Sequence, residues 1–306
     1  MIRNERGSAI IFVLVIALIA LSVSAYMLRS AKDVLLTAEM LRDKIHAKFE
    51  AESIPELLAF ITATAKFEKN YFHFEGDLRK IPVDNETYYL DGRENTMLDS
   101  KVEMLDTGAM LPLWAFDHSS ISKLFYNEFE PSKASIMYSS LIDWKDADDL
   151  HQMNGAESHY YNFEKKLPYT PRNRFDIQAV EELRLIRGFD NETYDKVKDN
   201  LIVALGGRLN VSTAPPEIIG VMFNLSKREV DYLKGVKKEK GEITLADIED
   251  VTGAGTVMTE VVNEYPSYSV VVDVYTEKGK AAERLRTIMS FKPTRDKPYK
   301  ILRWEN

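Results

Sequence analysis

The pattern of apolar and polar positions divides the chain into distinct stretches. From Ser8 to Leu28 no residue is charged; SAIIFVLVIALIALSVSAYML spans about 21 residues, roughly 31 Å as a helix, against a bilayer core of about 30 Å. Arg3, Glu5 and Arg6 precede it. The positive-inside rule therefore predicts a cytoplasmic N-terminus, with the chain after Arg29 outside. Apolar residues next recur at helical spacing, at Val34, Ala38, Leu41, Ile45 and Phe49, with charges between them. This predicts an amphipathic continuation that packs that stripe on a soluble domain. Pro55 is expected to interrupt it. Ser53-Ile-Pro-Glu56 reads as a capping box with proline in a new first turn, and Leu57, Leu58 and Ile61 carry the helix to about Ala65.

Strand-like patterns follow at Thr87–Leu90 and Val102–Gly108. They return near the C-terminus at Tyr268–Tyr275, Ala282–Phe291 and Lys300–Trp304, with a turn at Glu277–Lys280. Between the two β regions, from about Leu113 to about Tyr265, helical patterns prevail. Ala179–Gly188 reads as a helix with a glycine stop, and Asp190 or Asn191 caps the next one. Pro215 and Pro216 start another, Ser226 caps one carrying Val230 and Leu233, and Leu245–Ile248 leads to Gly253. The economical reading is a helical block inserted between strands of one antiparallel sheet that packs on the N-terminal helix, an α+β architecture.

Composition refines this picture. Of 306 residues, 45% are hydrophobic and 29% charged, enough for a core beyond the anchor. A formal net charge of −8 disfavours a nucleic-acid partner. With no cysteine, disulfides and thiol chemistry are excluded. The acidic residues cluster: Asp143, Asp146, Asp148 and Asp149 lie in Leu141-Ile-Asp-Trp-Lys-Asp-Ala-Asp-Asp149, and Glu157 follows in Asn154-Gly-Ala-Glu157. If the intervening loop folds back, their oxygens suit a hard cation such as calcium. The spacing is not that of an EF-hand, and a solvated acidic loop capped by Asx turns has the same composition.

Three readings compete for the N-terminal run: a secretory signal, a plain anchor, and a processed leader. The stop of the charged leader at Arg6-Gly7-Ser8 resembles the class III leader of type IV pilins and type II secretion pseudopilins. That resemblance implies cleavage after Gly7 by a prepilin peptidase and a mature chain starting at methylated Ser8. Ordinary pilins carry a glutamate at the fifth mature position, where this chain has Phe12. Among pseudopilins, the large minor subunit called general secretion pathway protein K typically lacks that glutamate, which implies a subunit with nothing above it at the filament tip.

The ordered strings LIDW, DADD, NGAE, YY, PRNR, VEELRLIRGF and LNVSTAPPEII also closely resemble the protein K family. The resemblance implies a pilin-like α+β fold with a large helical insert of SAM-like units. The expected divisions are a leader at 1–7, a transmembrane helix at 8–28, a first pilin-like part at 29–112, the insert at 113–265 and C-terminal strands at 266–306. It implies a minor pseudopilin of the inner membrane, single-pass and mainly periplasmic, without catalytic residues and with no cofactor required. Its partners would be the I and J type minor pseudopilins, the major pseudopilin, prepilin peptidase and the inner-membrane secretion platform. Some family members bind calcium in the acidic part of the insert; here Ser158 departs from an often acidic position, and Leu150-His-Gln-Met153 replaces a proline-containing stretch.

Two rivals remain. A pilus-like DNA-binding subunit would use the Arg187-Gly188-Phe189 hairpin, though Asp190, Glu192 and Asp195 would repel phosphate and the hairpin reads rather as a packing corner. Lys237, Lys238 and Lys240 read as a solvated loop. A signal-anchored metal-dependent hydrolase would draw on the acidic cluster with His151 and His159, yet no standard hydrolase or phosphate-loop motif is present.

Overall fold

A computed structural model describes residues 5–74, 86–113, 119–173, 177–203, 208–253, 262–292 and 294–305. Leader residues 1–4 lie outside them, and of residues 5–9 only the backbone is described.

Helix α1 runs unbroken over Glu5–Thr62, about 87 Å of helix. The expected restart at Pro55 does not occur. Ser53 forms no capping box, and its hydroxyl donates to the Glu50 carbonyl. A proline inside a helix costs roughly 3 kcal/mol. Ala51, Ile54, Leu58 and Ile61 lie fully buried around it, and each large side chain among them contributes about 1.5–3 kcal/mol on burial. Packing therefore outweighs the missing hydrogen bond and carries the helix through the proline. Pro55→Ala is accordingly expected to raise the melting temperature, since the same contacts would be kept with the Ala51 carbonyl satisfied; an unchanged or lower value would show that Pro55 relieves strain there.

The register of the packed stripe also differs from expectation. Val34 (66% exposed), Leu41 and Phe49 (69%) face outward; contact with the soluble part begins at Asp43, which accepts from the Lys280 N–H at 3.4 Å, and full burial begins at Ala47. The helix projects beyond the sheet, so the upstream stripe has nothing to pack on among the described residues. From Ile10 to Phe49 its large apolar side chains are exposed.

Two antiparallel sheets follow α1. Strands β1 (Ala65–Phe67), β2 (Tyr71–Phe74) and β3 (Thr87–Tyr89) form a small sheet in that order. Strands β4 (Asp91–Met97) and β5 (Ser100–Asp106) join a larger one. After the short β6 (Leu111–Pro112) the chain enters the helical region: α2 (Ser119–Glu128), α3 (Pro131–Lys145), α4 (Asn191–Val197), β7 (Leu201–Ile202), β8 (Leu209–Asn210), α5 (Pro216–Phe223), α6 (Lys227–Lys240), α7 (Leu245–Thr252) and β9 (Val262–Asn263). It returns as β10 (Ser269–Lys278), β11 (Ala281–Ser290) and β12 (Lys300–Glu305), and the large sheet has the order β12-β11-β10-β5-β4. Strands β5 and β10, which flank the helical region, are hydrogen-bonded neighbours with Val270 opposite Asp106 and Tyr275 opposite Lys101. Period-two alternation buries Val270, Val272 and Val274 in the core that also holds Ile54 and Leu58 of α1. A separate core within the helical region gathers Phe125, Met137, Leu141, Trp144, Tyr161 and Leu183.

Caps appear where the sequence places them. Asp190 accepts from the Thr193 N–H, Ser226 and Glu229 form a capping box, and Gly253 is left-handed. Two local expectations change. The segment read as an α-helix over 179–187 is a 3-10 turn at Val180–Leu185, because Glu182 accepts from the Gln178 N–H and from Arg172 and Trp144, drawing the segment onto α3. Lys237, Lys238 and Lys240 lie on α6 rather than in a loop; Lys237 donates to the Thr213 and Ala214 carbonyls, and Lys240 pairs with Asp247.

Candidate metal centre

Asp143 occupies the last turn of α3, and Asp146 is its C-cap, the Asp146 N–H donating to the Ile142 carbonyl. The chain then folds back. The Gln152 N–H donates to both Asp143 oxygens, at 2.9 and 3.1 Å, and the Gly155 N–H closes a turn onto the Gln152 carbonyl. Two residues on, Glu157 re-enters the core. Asp143, Asp146 and Glu157 thereby each offer a carboxylate oxygen, all within 4.8 Å of one another.

The loop approaches Asp143 so closely that only glycine fits at position 155: a Cβ there would overlap the Asp143 carboxylate. Arg187 donates to the Gly155 carbonyl at 2.9 Å and lies over the Tyr160 ring. Behind the site, the Trp144 indole N–H donates to Glu182 at 2.7 Å, and Arg172 pairs with the same carboxylate. Tyr161 packs edge-on against Trp144, and its hydroxyl accepts from the Arg187 N–H. Nothing in the residue pattern alone places Gly155, Arg172, Glu182 and Arg187 in one support; only the closeness of PRNR and the ELR segment to the acidic run hints at it.

The electrostatics are unfavourable without a counter-charge. Asp143 is fully buried and Glu157 nearly so. Burial, then the charges of Asp143 and Asp146, push Glu157 up to about 8. Burial also raises Asp143 and Asp146 above the ordinary carboxylate range. Both Glu157 oxygens and Asp146 Oδ1 are buried without a hydrogen-bond donor. A proton shared between Glu157 and Asp146 would relieve one charge, whereas a cation would satisfy all three groups at once. The donor set is oxygen only, as a hard divalent cation requires.

Of the five acidic candidates, Asp148 and Asp149 do not join this group. Asp148 accepts from the Leu150 N–H at 2.9 Å, and Asp149 from the Ser158 N–H at 3.3 Å. They shape the loop and add negative charge around it. His159 faces Glu164 and stacks on Phe163, and His151 approaches the Gln152 carbonyl, so neither enters the cluster. Among the described residues the cluster contains carboxylates alone.

The hairpin at Arg187-Gly188-Phe189 is a packing corner. Gly188 is left-handed at φ +95°, and a Cβ there would press on Met137 and Ile136. Phe189 is buried edge-to-face on Phe125 at 5.5 Å. The Gly188 Cα packs on α3 and the acidic Asp190 follows Phe189 directly, which counts against the DNA-binding rival.

The processing residues lie on α1: Gly7 and Ser8 fall in its first turns with their side chains outside the described set, and Phe12 is 68% exposed. One helix in the described residues is long and apolar enough to cross a membrane, and none of its apolar window is buried.

A long apolar helix laid on an antiparallel sheet, with a helical block between two neighbouring strands, defines a pilin-like α+β protein. Residues 116–206 match the family model for protein K of the type II secretion system (T2SS), and this span contains all three clustered carboxylates. The fold superposes on a chain of the GspK-GspI-GspJ complex from the enterotoxigenic Escherichia coli type 2 secretion system, with a TM-score of 0.53 and 12% identity, over 89% of this chain and 98% of that one. No curated protein sequence matches the chain. Residues 116–206 are thus similar to type II secretion protein K, and the chain as a whole shares the pilin-like fold of the chain in that complex.

Proposed function

We propose that this chain is the minor pseudopilin that caps the tip of the type II secretion pseudopilus and helps to start its assembly and protein export. The observation that carries this reading is the exposed apolar face of α1 from Ile10 to Phe49, joined to a protein K head. Before assembly the helix would sit in the inner membrane, with the head in the periplasm. In the filament, burial against the helices of I and J type subunits would replace lipid contact, with the major pseudopilin below. A glutamate at position 12 would need a partner amine within the bilayer; Phe12 carries no such requirement. The broad insert above would block further addition. The inner-membrane secretion platform would supply the assembly site.

The test of this reading is processing. Co-expressed with a prepilin peptidase, the chain is expected to begin at methylated Ser8 by mass, and Gly7→Ala is expected to remain uncut. An intact leader in the unaltered chain would reduce α1 to a plain anchor and remove the filament model.

We further propose that Asp143, Asp146 and Glu157 hold a calcium ion. The support is the pair of undonated Glu157 oxygens and the glycine-only approach at position 155. The ion would supply charge neutralisation that ties α3 to the loop, a structural rather than catalytic role.

A further inference from the structure

The face of the large sheet turned away from α1 forms the floor of an open groove of about 1110 Å³. Val271 and Asp273 of β10 and Arg286, Ile288 and Ser290 of β11 lie on it, and the insert supplies the wall through Val180, Tyr194 and Ile202. The floor is apolar at its centre, where Val271, Ile202 and Met110 are buried together with Ile288 against them.

The charge of this groove runs against that of the chain. Eight lining side chains are cationic and two are acidic, in a protein of formal net charge −8. Ion pairs use part of the excess. Arg303 with Glu181 and Arg286 with Asp199 tie floor to wall, and Arg284 pairs with Asp273. Arg208, Lys292 and Lys300 are exposed and form no ion pair among the described residues. A concave surface with surplus cations over an apolar floor concentrates anionic, partly apolar ligands.

The sheet edge adds a directional element. Strand β12 ends the sheet, pairing only with β11 among the described residues, and its Lys300 and Leu302 line the groove. An exposed strand edge presents unpaired backbone donors and acceptors to which an extended peptide can add. Nucleic acid fits less well, because binding single strands calls for free aromatic platforms. Tyr194 is the single aromatic in the described lining, and Arg184 and Lys198 already cover its ring.

The geometry points to a docking groove for an extended acidic segment of a partner protein, its backbone pairing along β12 and its carboxylates meeting Lys292 and Lys300, with Arg208 adding positive charge on the far side of the groove. This groove is separate from the carboxylate cluster, and its role does not depend on the tip model.

Fluorescence anisotropy on the full chain in detergent tests it, with a fluorescein-labelled peptide of alternating glutamate and valine as probe. A lysine-valine peptide and labelled oligothymidylate serve as comparisons. The glutamate peptide is expected to bind, more weakly as salt rises. The triple variant Arg208→Glu, Lys292→Glu, Lys300→Glu should weaken it by at least about tenfold, about 1.4 kcal/mol. Lys227→Glu, exposed on α6 outside the groove, should leave it unchanged. Ser290→Trp, which fills the floor without altering charge, should also block binding, and hydrogen exchange should slow along residues 300–305. Equal binding of the lysine peptide, tighter binding of oligothymidylate, or binding indifferent to both groove variants would overturn the proposal.

Discussion

Calcium is expected to raise the melting temperature of the soluble part, and Glu157→Gln is expected to abolish that rise while stabilising the metal-free protein at alkaline pH. Both effects come from one group. Glu157 ionises near 4.5 when unfolded and at about 8 in the folded chain without a cation. Between those values the folded state holds the extra proton. The stability this gives is fully present below about 4.5 and is lost as pH rises through about 8, a change on the order of a few kcal/mol. A cation replaces the proton, so calcium binding should strengthen over the same interval and release protons as it does so. At a hundredfold excess over its dissociation constant the ion contributes about 2.7 kcal/mol. The glutamine side chain of Glu157→Gln has no charge to bury, so that variant should lose the part of the pH dependence that Glu157 carries, keep the smaller part from Asp143 and Asp146, and ignore calcium. A wild-type melting temperature indifferent to calcium at pH 8, with Glu157→Gln melting lower than wild type there, would show that the cluster is not a cation site.

The second large effect is expected at Asp106. It ends β5 where the chain leaves the sheet, and it is fully buried. Its Oδ1 accepts from the Gly108 N–H at 3.2 Å and from the Ser267 N–H and hydroxyl at 3.0 and 2.6 Å; its Oδ2 accepts from the Asn210 amide at 3.0 Å. One carboxylate thus holds the exit to the helical region, the return from it, and strand β8 within it. Burial raises its pKa, and these donors oppose that rise. Asp106→Ala leaves buried donors unpaired, a loss of about 3–5 kcal/mol, or on the order of 10 °C. Limited proteolysis should then cut near Gly108 and Ser267 before the sheet itself unfolds. A melting temperature within a degree or so of wild type would show that the helical region holds its position without this residue.

What could be read from the sequence was local. Both strands of the β10–β11 hairpin are long and β10 is rich in β-branched residues, and the caps at Asp190, Ser226 and Gly253 follow from local chemistry within one turn. The acidic run announced a cluster, but not which members converge. Asp143, Asp146 and Glu157 meet because the loop turns at Gly155, and that close approach is a tertiary fact. Asp148 and Asp149 look identical in sequence and serve backbone amides instead. The stripe at Val34–Phe49 has true helical period, yet period does not say whether the partner surface is in the same chain. Pro55 reads as a break because propensity is local, while the burial of Ile54 and Leu58 that overrides it is not. Strands β1 and β2 have three and four residues, too short for alternation to show. The Arg172–Glu182–Trp144 support and the Asp106 junction join residues far apart in the chain, and the basic groove is hidden beneath a negative total charge.

The assignment to the tip depends on what this helix and head assemble with. Native mass spectrometry of the mature full chain in detergent, mixed with I and J type minor pseudopilins, tests this most directly. A complex with one copy of each subunit, lost when charge is placed on the outward stripe by Leu41→Glu and Phe49→Glu, is the expected result. A chain that stays alone, or that polymerises with itself, would contradict it.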